Sequence, residues 1–324
     1  MPKAIRFERI GGPEVLEFRD VEVGDPGTGE VRLRHTAIGL NYIDTYYRSG
    51  LYPAPVPSGL GSEAAGVVEA VGAGVVECAV GDRVAYCGGP LGAYSTHRVL
   101  PALRVVKIPD GVSNEVAAAV LLKGGTAEFL VERCARVEAG QTVLVQAAAG
   151  GVGLLLVQWL KHLGVRVIAT AGGAEKLALA KRYGADELID YGTEDVAARV
   201  RELTGGEGVA TVFDGVGKAT WAGGLDSLRR RGSMISYGNA SGAVGPVDFA
   251  ILGRKGSLFA TRPTLFDYQS TRAEIEAANA RLFELIDKGV LEVRIDQRYA
   301  LADAAQAHRD LEARKTTGST VLLP

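Results

Sequence analysis

The segment QTVLVQAAAGGVGLLLVQWLKHLG (141–164) holds the residues whose types and spacing point most directly to chemistry. An apolar run meets Ala148-Ala149-Gly150-Gly151-Val152-Gly153 and passes straight into a second apolar run of helical spacing. This is the strand-turn-helix arrangement of a dinucleotide site, with Ala148 at the place of its first glycine. Gly150 lets the main chain approach a pyrophosphate, and Gly153 allows the helix to pack closely on the strand. The first helical residues, Gly151 and Val152 among them, offer unpaired N–H groups and the positive end of the helix dipole.

The end of the next strand selects the nucleotide. A site for NAD places an acid about 20 residues after the turn to accept the ribose hydroxyls. Residues 170–174 read TAGGA instead, and the acid that follows, Glu175, adjoins Lys176. An open Gly172-Gly173 turn with a lysine on the first helical turn leaves space and positive charge for a 2′-phosphate, which favours NADPH. Taken alone, Lys176 would read as a solvated helix residue.

Other chemistries lack their residues. His35, His97, His162 and His308 are scattered without an H-x-x-x-H pair, and Cys78, Cys87 and Cys134 form no C-x-x-C. No zinc ligand set is expected, and each histidine reads as a packed or surface residue. A G-x-S-x-G elbow, a Walker lysine loop and an EF-hand string are also absent. The redox work would fall to the nicotinamide.

The elements that position the turn follow from the rest of the chain. At 324 residues two domains are expected, at roughly 150 residues each. Residues 1 to about 122 read as short extended runs broken by turn residues, such as Ala4–Phe7, Val31–Thr36, Val67–Val71, Arg83–Tyr86 and Arg104–Ile108. From Gln141 the rhythm becomes strand, helix, strand, with six candidate strands ending at Ser257–Thr261, which builds a doubly wound parallel sheet. A helix is expected over Arg272–Asp287, followed by mixed segments that return to the first domain.

Composition bounds the partners. With 36 basic and 38 acidic residues the net charge is −2, so the uniform basic field of a nonspecific nucleic-acid binder is missing. Residues 139–160 are uncharged but interrupted by glycines and glutamines, which argues against a membrane span. Three scattered cysteines and a charged N-terminus, MPKAIRFERIGGPE, lead us to expect a reducing cytoplasm. Glycine is abundant, 43 residues against a usual ~7%, as expected for many tight turns.

These pieces together resemble the zinc-free quinone oxidoreductases of the medium-chain dehydrogenase/reductase superfamily, the group that includes zeta-crystallin. The resemblance spans the chain and rests on GLNYIDTYYRSGLYP (39–53), GLGSEAAGVVEAVG (59–72), GDRVAY (81–86), LLKGGTA (121–127), AAAGGVG (147–153), SYGNASG (236–242), TRPTL (261–265) and ARKTTGSTVLLP (313–324). It implies an α/β fold in which a Rossmann sheet (125–260) is inserted into a GroES-like, mainly β catalytic domain made of 1–124 and 261–324. Asn41 and Ser62 stand where zinc-dependent members carry a cysteine and a histidine ligand.

The resemblance further implies that Asn41 lies beside the nicotinamide, with Lys123 and Thr126 at the domain junction and Gly238 and Asn239 after the fifth strand. Lys176, Tyr191 and Arg314 match the 2′-phosphate positions, and Lys315 is a variation without an assigned role. Tyr46 and Tyr52 match the tyrosines of the substrate cleft, where aromatic packing in a tyrosine-rich loop is the plainer alternative. The implied activity is reduction of a quinone by NADPH in a cytoplasmic homodimer. Two other readings stay open: an NADPH-dependent reductase of enones or 2-alkenals, and a non-catalytic NADPH-binding or RNA-binding protein.

Overall fold

Val31, Leu33, His35 and Ala37 alternate with more polar neighbours. In a computed structural model, which describes residues 1–324, they form the inward face of the strand Glu30–Leu40. Beyond Ala37 this strand is buried on both faces. Gly39 is required there, because a Cβ would stand 2.1 Å from the carbonyl oxygen of Ala118 on the helix Asn114–Glu128.

The chain divides into two compact units. The first comprises Met1–Gly125, Gln269–Asp287 and Val293–Pro324. Its seven-stranded sheet runs in the order Ile295–Ala300, Ser319–Leu323, Glu30–Leu40, Glu63–Val71, Arg83–Cys87, Val105–Lys107, with His97–Pro101 also paired to Glu30–Leu40. A smaller sheet joins Glu17–Asp20, Lys3–Phe7 and Ser58–Gly59. Phe7, Leu33, Ile38, Leu60, Val84, Tyr86 and Tyr94 fill the core beneath these sheets. Each fully buried apolar chain of this size contributes about 1.5–3 kcal/mol.

The second unit, Thr126–Tyr268 with Lys288–Glu292, is built on a six-stranded parallel sheet. The spatial order is Glu187–Asp190, Arg166–Ala171, Thr142–Val145, Val209–Asp214, Leu228–Ser236, Phe259–Thr261, so the strand nearest the glycine turn sits third. Val209–Asp214 is buried along its whole length, as a parallel strand covered on both faces must be. The unit continues to Tyr268 rather than stopping near 260, because Phe129 stacks on Tyr268 at 4.5 Å and Arg133 donates to the Tyr268 carbonyl at 2.7 Å. The strand Leu228–Ser236 shifts its register against Val209–Asp214 between Val209 and Thr211. No helix is long and apolar enough to cross a membrane.

Candidate functional site

The glycine turn lies at the carboxyl end of Thr142–Val145. Gln146 and Ala148 tie it to the neighbouring strands through N–H bonds to the Phe213 and Thr170 carbonyls (3.0 and 2.9 Å). Ala147 turns the chain through a left-handed φ of +53°, a conformation that favours glycine and that the sequence did not reveal. Gly150 caps the helix Gly151–His162, whose first closing bond runs from Leu154 N–H to Gly150 C=O at 2.9 Å. The amides of Gly151, Val152 and Gly153 therefore precede the helical ladder, where a helix start leaves N–H groups without intrahelical acceptors. A Cβ on Gly153 would meet the Ala147 carbonyl oxygen at 2.4 Å and the Ala148 Cα at 2.7 Å, which is the close packing that the motif requires.

The adjacent loop carries the charge reading. Gly173, at φ +86°, caps the helix Ala174–Arg182, and Lys176 sits in that helix's first turn. The Tyr191 phenol stands over Gly172, where an added Cβ would come within 2.8 Å of its oxygen. An acid that the sequence analysis passed over, Asp190, accepts from Gly173 N–H (3.2 Å) and Gly192 N–H (2.9 Å), so its carboxylate is engaged in the loop itself. Gly238 completes the group: a Cβ there would lie 2.2 Å from the Gly215 carbonyl oxygen, where the two loops after Val209–Asp214 and Leu228–Ser236 press together. Asn239 accepts from Gly242 N–H at 2.9 Å in the same loop. Thr126 is buried near the end of the helix Asn114–Glu128. All these residues belong to the second unit, whereas Arg314 belongs to the first, exposed after the helix Ala304–Glu312. Lys315 pairs at 3.8 Å with Asp310 of that helix.

In the first unit the stretch read as a tyrosine-rich loop is helical, Tyr42–Ser49. Asp44 accepts the Asn41 main-chain N–H at 2.9 Å, which fixes the start of this helix, and Gly50 ends it at φ +82°. Helical spacing brings Tyr42 and Tyr46 to 5.6 Å between ring centres, and Tyr52 packs on Tyr46 at 5.1 Å. Asn41 is buried; its Nδ2 donates to Glu63 Oε2 at 2.7 Å, while its Oδ1 has no partner in the chain. Lys123, also buried, donates to the Leu40 carbonyl at 3.2 Å and lies 3.9 Å from Glu63 Oε2.

Sequence reasoning missed the polar network behind Asn41. Arg48 donates to His308 Nδ1 (2.9 Å), His308 Nε2 lies 3.1 Å from Tyr94 Oη, and Tyr94 donates to Asp44 Oδ2 (2.9 Å). A guanidinium has only donors, so His308 must accept at Nδ1 and carry its proton at Nε2, and every donor along the path points toward Asp44. Burial lowers the His308 imidazole to about 3 and raises the Asp44 carboxyl to about 7.

Asp44 titrates near 3.8 when the chain is unfolded. A carboxyl raised on folding stabilises the folded state below its unfolded value and loses that contribution as the pH climbs through the folded one. Denaturant unfolding should therefore show the parent chain losing stability relative to Asp44→Asn between pH 4 and 7, by on the order of 3 kcal/mol, with no further change above. A difference independent of pH would mean that Asp44 is not held protonated by burial.

The mainly β first unit, with a six-stranded parallel sheet and glycine turn in the second, defines the medium-chain dehydrogenase/reductase class. Residues 27–110 match the family model described as alcohol dehydrogenase GroES-like domain, and residues 151–276 match the one described as zinc-binding dehydrogenase. The chain is 55% identical to a quinone oxidoreductase of Pseudomonas aeruginosa, covering 100% of both. It is 44% identical to the 2-haloacrylate reductase of a Burkholderia species, covering 100% of this chain and 99% of the relative. The crystal structure of Escherichia coli quinone oxidoreductase complexed with NADPH superposes with a TM-score of 0.98 at 47% identity, covering 99% of this chain and 100% of the other. The chain belongs to the quinone oxidoreductase family of the medium-chain dehydrogenase/reductases.

Despite the description of that second family model, the residues present do not fit a zinc ion. Asn41 supplies an amide and Ser62 a hydroxyl where soft or imidazole donors are needed, and no three His, Cys, Asp or Glu side chains gather to hold a metal.

Proposed function

We propose that the chain is an NADPH-dependent quinone reductase that works without a metal ion. The observation that carries this reading is the helix start at Gly151, Val152 and Gly153, three amides ahead of the helical ladder beside a turn that offers Lys176 and Tyr191 and whose acid, Asp190, is engaged by the loop's own amides. The open amide oxygen of Asn41 and the small-residue loops at 150–153, 172–173 and 238 fit a dinucleotide.

On this reading the Gly151–Gly153 amides hold the pyrophosphate, with Ala148 and Gly150 keeping the turn tight. Lys176, Tyr191 and Arg314 bind the 2′-phosphate. Asn41, Lys123, Thr126, Gly238 and Asn239 orient the nicotinamide, and Gly172 and Gly173 leave room for the ribose end. When bound, NADPH supplies a hydride. Tyr46 and Tyr52 cover the flat face of the quinone, and a phenol or water protonates the reduced oxygen. Placing the acceptor in contact distance supplies most of the rate, since a quinone needs no further activation.

The likeness to a 2-haloacrylate reductase supports a second reading, reduction of an activated C=C bond in the same site. Stopped-flow oxidation of NADPH and NADH with a 1,4-quinone and a linear enone separates the two. The expected result is faster reaction with the quinone, and a large preference for the enone reverses the assignment. In Lys176→Ala the preference for NADPH over NADH should fall about tenfold, as expected for loss of one charge-assisted phosphate contact. Equal use of both coenzymes by the parent chain would remove the role given to Lys176, Tyr191 and Arg314.

We also propose a homodimer in a reducing cytoplasm. The strand Phe259–Thr261 supports the first part: it lies at the sheet edge, with all three residues exposed and Phe259 63% accessible. Three free cysteines accord with the second.

A further inference from the structure

Glu63 is fully buried in the middle of the first unit's sheet, and its place is built for a charge. Oε1 accepts from Leu122 N–H at 2.8 Å, Oε2 from Asn41 Nδ2 at 2.7 Å, and the Lys123 ammonium stands 3.9 Å away. Gly39 leaves the passage for it, since a Cβ there would lie 2.4 Å from Oε2. Burial raises this carboxyl above its usual range, and Lys123 and the Asn41 and Leu122 N–H groups pull against that rise. Only the carboxylate form accepts from both N–H donors without leaving an O–H unpaired.

A carboxylate has no hydrogen to give, so the atom of Asn41 that faces it must be the amide nitrogen. The other end of the amide is then always Oδ1, which is buried at the helix start, turned toward the Asp44 N–H, and completes no hydrogen bond within the chain. The main chain around it is held as well, with Asn41 N–H on Asp44 and the Leu40 carbonyl on Lys123. An unpaired acceptor on a clamped, buried side chain is costly unless a ligand brings an N–H to it.

We infer that Glu63 is a positioning residue that locks the Asn41 amide with its oxygen outward, so that Asn41 reads the carboxamide N–H of the nicotinamide. This inference rests on the NADPH reading above and names what that site recognises. Gln at 63 could present either a donor or an acceptor to Asn41, which would free the amide to flip.

Calorimetric titration of three probes tests it without turnover: NADP⁺, its 3-acetylpyridine analogue, which lacks the carboxamide N–H, and adenosine 2′,5′-bisphosphate, which lacks the nicotinamide. The parent chain should bind NADP⁺ about tenfold more tightly than the analogue, as expected when a buried acceptor loses its donor. In Glu63→Gln that ratio should shrink to about twofold, with binding of the bisphosphate unchanged. Glu63→Asp keeps the charge beside Lys123 but withdraws it from Asn41, so it should lose the discrimination too. Full discrimination in either folded variant overturns the inference. So does equal binding of NADP⁺ and the analogue by the parent chain, a result that needs no variant to fold. Failure of the parent chain to bind both NADP⁺ and the bisphosphate would instead sink the NADPH reading itself.

Discussion

Gly153→Val is expected to lower affinity for NADPH by more than about 100-fold and to destabilise the chain by about 1–3 kcal/mol, the range for overpacking a tight site. The three atoms nearest the new Cβ are all main chain: the Ala147 carbonyl oxygen at 2.4 Å, Ala148 Cα at 2.7 Å and Ala148 carbonyl carbon at 2.8 Å. Rotating a side chain cannot relieve these contacts, so the turn itself must open, and the helix must lift from the strand. The three leading amides then no longer converge on one anion. Calorimetry with NADPH and a denaturant curve check the two halves of the prediction. Gly223→Ala serves as the control, because nothing lies within 4 Å of a Cβ at that helical position. It should leave binding unchanged and raise stability by about 0.5–1 kcal/mol. Unimpaired binding in Gly153→Val would show that the pyrophosphate is held elsewhere.

Arg48→Met is expected to remove about 3–5 kcal/mol of stability, the usual loss when one partner leaves a buried ionic network. The guanidinium is only 2% exposed and has three partners: the Gly11 carbonyl at 3.1 Å, His308 Nδ1 at 2.9 Å and Glu312 Oε1 at 2.5 Å. Methionine would fill much of the space but would leave the His308 nitrogen and the Gly11 carbonyl without donors. Glu312→Gln should do far less, at most about 1 kcal/mol, because that side chain is 35% exposed and water can replace its partner. Guanidinium unfolding of the two variants side by side checks the ranking. Equal losses would mean that the Arg48–Glu312 pair, rather than the buried bonds to His308 and Gly11, carries the stability.

What could be read in advance was whatever depends on neighbours along the chain. The glycine turn and the helix Arg272–Asp287 stand where the sequence placed them, since apolar periodicity and glycine punctuation are local signals. The helix Tyr42–Ser49 was hidden, because tyrosine and threonine are indifferent helix formers and an Asn41–Asp44 interaction with a terminal glycine defines it instead. Phe259–Thr261 was expected two residues longer, and its exposure on the sheet edge gives it little apolar pattern. The network behind Asn41 was illegible for another reason. Asn41 and Glu63 are 22 positions apart, Tyr94 and His308 are 214, and Arg48 and Glu312 are 264. Only the folded sheet brings such residues together, and singly each looks like an ordinary surface charge or packed ring.

The strand Ser319–Leu323 lies between Glu30–Leu40 and Ile295–Ala300, so the larger sheet of the first unit is incomplete until residue 323 has been added. The second unit, apart from Lys288–Glu292, is one continuous stretch whose strands pair through short crossovers. During synthesis the inserted unit can thus acquire its native form while the earlier-made residues 1–125 still lack two of their sheet's seven strands. Closure of loops nearly three hundred residues long comes last and is entropically slow. The order of emergence from the ribosome and the order of maturation are therefore reversed, and the half-built sheet edge at Leu40 is the surface that a nascent chain must keep from pairing with its neighbours.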